Sequence, residues 1–95
     1  MTVEELRAKL EKISSAITSS GFDKIDGEIM NELENAALVA GELDMKEGKR
    51  LIVNLFDTMK AIQEGKSSAD SGNLRLTALD FYLKKHSDSG IVEEL

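Results

Sequence analysis

Apolar residues recur along this chain at helical spacing, and proline never interrupts them. Val3, Leu6, Leu10, Ile13 and Ile17 are separated by 3, 4, 3 and 4 residues. That rhythm keeps side chains on one side of an α-helix and scatters them on a strand. It predicts a first helix over about 3–20, with Thr2 as its cap, Glu5 completing a capping box, and Gly21 at its end. The stripe is narrow, as on a helix at the edge of a bundle.

The same rhythm returns three more times. Ile25, Ile29, Leu33, Ala36, Ala37 and Ala40 share a face of a second helix, about 24–40, capped by Asp23 or Asp26 and stopped by Gly41. A third helix, about 45–64, carries the widest apolar arc: Met45, Gly48, Leu51, Ile52, Leu55, Phe56, Met59 and Ile62, with only Val53 off it. A wide arc needs several neighbours, so this helix is expected at the centre, with Asp44 as its cap. The polar stretch 65–72 reads as a loop, and a fourth helix follows over about 73–85. β-branched residues are scattered, so strands are not expected.

Short links favour antiparallel neighbours. The expectation is an all-α protein: a small four-helix, largely antiparallel up-and-down bundle over 1–86, with 87–95 as a flexible tail. Its core should include Leu6, Leu10, Ile13, Ile29, Leu33, Ile52, Leu55, Phe56, Met59 and Leu79. At 95 residues, one domain with one modest core is expected.

Composition narrows the chemistry. Without cysteine there are no disulfides, thiolate metal sites or cysteine nucleophiles. The single histidine, His86, does not make a histidine-rich zinc site. No Gly-rich phosphate loop and no nucleophile–base set is present, so neither an enzyme nor a cofactor is expected. Segment 22–29 compares with a calcium-binding EF-hand loop in having Gly27 at the turn. However, Phe22 and Lys24 occupy ligand positions, and Leu33 falls where the bidentate glutamate belongs, so calcium is not expected. Lys46, Lys49 and Arg50 cluster at the third helix start, where Glu42, Asp44 and Glu47 are placed to pair with them.

The net charge is −6, and segment 23–44 carries all of it, seven carboxylates against Lys24. Such a chain repels phosphate backbones and anionic lipid, so neither nucleic-acid nor membrane binding is expected. The first residues lack the pattern of a signal peptide, and no apolar run spans a bilayer. A cytoplasmic location is expected.

Helix 4 is the least ordinary segment. Leu76, Leu79 and Leu83 lie on one side, and Leu74, Ala78 and Phe81 on the other, with Tyr82 beside them. Two apolar faces mean burial on both or a face left for a partner. Leu76, Leu79 and Leu83 are expected in the bundle, and Leu74, Phe81 and Tyr82 on a contact face, the Tyr82 hydroxyl staying wet at its rim. Leu38 and Val39, off the core face of acidic helix 2, form a second contact patch. The function expected is non-enzymatic interaction with a protein partner or a second copy.

Two alternatives rest on single residues, and a third on charge. Asp70-Ser71 ahead of an apolar helix is similar to the modification site of acyl carrier proteins, which would imply a carrier arm on Ser71. Gly72 stands where that motif has leucine and the likeness covers only three residues, so Asp70 and Ser71 are expected as caps of helix 4 instead. His86 is a candidate phosphoacceptor, or a cation at a helix C-terminus. The acidic segment would suit a decoy for a nucleic-acid-binding site.

Overall fold

A computed structural model describes residues 2–89 of the chain, with side chains through Lys84. Four helices and one short turn follow in order: α1, Val3–Ser20; a 3-10 turn, Phe22–Lys24; α2, Gly27–Glu42; α3, Lys46–Gln63; and α4, Ala69–Ser89. Every described element is helical, as the periodicity predicts.

The helices alternate in direction. At one end, the buried Phe22 ring, Ile62 near the end of α3 and Gly72 near the start of α4 converge. There too the Gln63 amide donates to the Ile25 carbonyl, 3.3 Å away. At the other end, Gly48 in the first turn of α3 lies against Tyr82, late in α4, and Gly41 of α2 lies under the Lys49 side chain. α3 packs against both α2 and α4, and α1 closes the bundle against α2 and α4. α3 does not take the central place expected for it: among the described residues it packs on α2 and α4 but not on α1, so the four helices form a ring, and Leu51, Phe56 and Ile62 of its wide arc are only half-buried. The body measures 37 × 22 × 22 Å, about the length of one such helix and the width of two.

Local chemistry sets the helix ends. Thr2 accepts from the Glu5 amide at 3.1 Å, and Glu5 accepts from the Thr2 amide at 2.9 Å, which completes the expected box. Asp26, rather than Asp23, caps α2 through the Ile29 amide, 3.0 Å away. α2 does not stop at Gly41; it runs to Glu42 and closes in a Schellman motif. In that motif Asp44 N–H reaches the Gly41 carbonyl and Met45 N–H the Ala40 carbonyl. Asp44 holds the left-handed position, at φ 60, so it terminates α2 instead of capping α3. Gly65 plays the same part after α3, at φ 76.

α4 starts four residues earlier than the reading of 65–72 as a loop allows. The Ser68 carbonyl accepts from the Ser71 and Gly72 amides, so Asp70 and Ser71 lie inside the first turn rather than before it. The helix continues through Ser89, so 87–89 are helical where a tail is expected. Residues 90–95 of that tail lie outside the described residues.

The core contains Leu6, Leu10, Ile13, Ile17, Leu33, Ala36, Ala40, Ile52, Leu55, Met59, Leu76, Leu79 and Leu83. Two expected members, Ile29 and Phe56, are only half-buried and pack on its edge, while Met30 is buried in α2 instead. Met30 shares the buried face of α2 with Leu33, Ala37 and Ala40, at the spacing of one helix side.

A candidate interaction surface

Once the core is filled, α4 still carries unburied apolar side chains. Its inward face presents Gly72, Leu76, Leu79 and Leu83, all buried. On the opposite face, Leu74 is 66% exposed and Phe81 73% exposed, with Ala78 and Thr77 exposed between them. Leu74, Thr77, Ala78 and Phe81 follow the i, i+3, i+4, i+7 spacing of one helix face.

Tyr82 departs from the expected contact face. It is only 8% exposed, and its ring lies against Gly48, where an added Cβ would stand 3.0 Å from the hydroxyl oxygen. One helical step of about 100° separates it from Phe81, which is enough to turn it towards α3. Tyr82 is therefore a packing residue at the α3–α4 seam, and its hydroxyl is not at a wet rim. The signal for this was present in Gly48, which leaves room on α3 for a large side chain.

Beside the exposed stripe runs an open groove of about 490 Å³, lined by Glu47 and Leu51 of α3 and by Leu74, Thr77, Ala78, Phe81 and Tyr82 of α4. Leu51, read from sequence as part of the core arc, is half-buried and forms one wall. Its place at the margin of that arc was the available sign. Glu47 sits at the groove's end, held by Arg50. The Arg50 hydrogen bond draws the Glu47 carboxyl below its ordinary range, and the same contact raises the guanidinium.

Leu38 and Val39 of the second patch differ in exposure. Leu38 is 62% exposed, whereas Val39 is half-buried against the core. On the α3 side of α2, Glu34, Ala37, Val53, Phe56 and Asp57 line a smaller groove of about 200 Å³. Leu38 lies one turn beyond Glu34 on that flank. A third groove, of about 500 Å³, is polar: Glu11, Ser14, Ser15, Thr18 and Ser19 of α1 face Asp80 of α4. In it the buried Ser14 hydroxyl donates to Asp80 across 2.6 Å and ties the two helices together.

No group of three or more metal-ligating side chains occurs among the described residues. None of the described helices is long and apolar enough to cross a membrane. The acidic side chains of 23–44 fall on α2 and the turns at its two ends, not over a broad surface. Ser71 is half-buried in the first turn of α4, and His86 lies within α4, one turn short of its last described residue. The fold thus defines a small antiparallel four-helix bundle with one helix apolar on two faces. No protein-family model, curated protein or solved structure matches the chain.

Proposed function

We propose that this protein is a non-catalytic, cytoplasmic interaction domain whose working surface is the outer face of α4, with Leu51 of α3 at its margin. The observation that carries this reading is the exposure of Leu74 and Phe81, aligned on one face two turns apart, in a bundle whose core is complete without them. Scattered single apolar residues are ordinary on protein surfaces. Two large ones aligned beside an apolar groove are the pattern of a contact site. An aromatic anchor such as Phe81 characteristically carries much of the binding energy at such a site.

A photo-crosslinking amino acid placed at position 81, in the cell that makes the protein, tests the reading. Covalent adducts are expected at position 81 and not at the exposed position Lys12 on α1. Absence of adducts at 81, with the protein expressed and folded, overturns it.

A further inference from the structure

Which surface fits the outer face of α4 is written in its own order of residues. Along the helix the exposed face runs large, small, small, large: Leu74, Thr77, Ala78, Phe81. The pattern has a centre between Thr77 and Ala78. Reversing the helix direction about that centre carries Leu74 onto Phe81 and Thr77 onto Ala78. A face with this property complements a copy of itself running the other way.

We propose that two copies of this chain pair through antiparallel α4 helices, related by a twofold axis at Thr77 and Ala78; this rests on the assignment of the outer α4 face as a contact surface. The small pair at the centre lets the helix backbones approach closely where they cross. Phe81 of each copy then lies against Leu74 of the other, beside the groove wall formed by Leu51. Each contact occurs twice, as an isologous interface requires.

The charges obey the same reversal. Asp70 lies one turn before Leu74, and Lys84 nearly one turn after Phe81, on the same flank of the stripe and both exposed. The twofold brings Asp70 of one copy beside Lys84 of the other. In a parallel pair this flank would lie on opposite sides of the seam in the two copies and Asp70 and Lys84 would stand about 20 Å apart along the helix, so they could not pair. The contact is short, two helical turns with flanking residues, at the small end of specific interfaces. The dimer is therefore weak and reversible, with a dissociation constant of about 10–100 μM.

The absence of native cysteine makes the register directly measurable. Under mild oxidation Ala78→Cys, next to the axis, is expected to give a disulfide-linked dimer. Leu74→Cys alone is not, because its mate lies about 10 Å away along the helix. Mixed with Phe81→Cys, however, it should cross-link. Cross-linking of every single-cysteine variant with itself would indicate parallel pairing and overturn the proposal. In sedimentation equilibrium, Phe81→Ser should weaken association by about thirtyfold or more. Asp70→Lys should weaken it about threefold to tenfold, and adding Lys84→Asp should restore it. A wild-type protein that stays monomeric at about 1 mM, well above the expected range, overturns the pairing. The adduct formed at position 81 separates this inference from the one beneath it. An adduct of two copies supports both. An adduct with a different protein overturns self-pairing and leaves the interaction surface standing, and no adduct overturns both.

Discussion

At the scale of single residues, the same substitution has opposite consequences at two glycines. A Cβ at Gly72 would stand 2.7 Å from Cε1 of Phe22 and 2.9 Å from Cδ1 of Ile62. Phe22 is buried, so its ring has little room to retreat. Overpacking of this kind costs about 1–3 kcal/mol, and the better helix propensity of alanine returns up to about 1 kcal/mol. Gly72→Ala should therefore lower stability in urea unfolding. At Gly27, the first residue of α2, a Cβ meets nothing within 4 Å. Gly27→Ala should raise stability by about 0.4–1 kcal/mol, because the unfolded chain loses freedom at no steric cost. If the two variants shift the urea midpoint in the same direction, the close approach at Gly72 is not the reason that position is glycine.

At the scale of elements, helix existence was legible and helix ends were less so. The 3-and-4 spacing of Val3, Leu6, Leu10, Ile13 and Ile17 admits one secondary structure, and α1 has the expected box and the expected glycine. The start of α4 was not legible, because Gly72 reads locally as a breaker. The structure uses it for a contact with Phe22, fifty residues away in the chain, which no local pattern reveals. Asp44 misled for a similar reason. Aspartate before a helix is a good N-cap, but it is also one of the few non-glycine residues that tolerates the left-handed region, and here it closes α2. Asp44→Gly should consequently stabilise the protein by about 0.5–1 kcal/mol in thermal or urea unfolding, the reverse of the loss expected if Asp44 capped α3. The α1 box has a pH signature as well. Hydrogen bonds from the Thr2 amide and hydroxyl hold the Glu5 carboxyl below its ordinary value of 4.5. A carboxyl depressed in the folded state adds stability above its unfolded value, and that contribution is lost as pH falls through the folded one. The stability difference between wild type and Glu5→Gln should be constant near neutrality and shrink below about pH 4.5, as followed by melts across pH. A difference that persists unchanged to pH 2 would mean that the Glu5 charge plays no part in the cap.

At the scale of the whole molecule, the division of α4 into an inner and an outer face decides what the bundle needs and what it leaves over. The two faces carry side chains of similar size, so composition does not separate them; packing does. Leu79 is fully buried and Phe81, two residues on, is largely exposed. Leu79→Ala removes buried methyl groups and leaves a cavity, which costs about 2–5 kcal/mol, a large part of the roughly 5–15 kcal/mol that holds a domain folded. In a domain of this size each kcal/mol moves the melting temperature by about 4–8 °C, so a fall of at least about 8 °C is expected. Leu74→Ser together with Phe81→Ser alters only the outer face. For this pair the expected change is within about 0.5 kcal/mol per site, a fall no larger than about 4–8 °C for the two together, at protein concentrations low enough that no copy pairs with another. The same pair should abolish the adducts at neighbouring outer-face positions and the concentration dependence of the wild-type melting temperature, since association of the folded form alone raises it. If the double serine variant melts as early as Leu79→Ala at low concentration, the outer face belongs to the core of a single copy. A stable fold that has lost association leaves Leu74 and Phe81 with one role, contact.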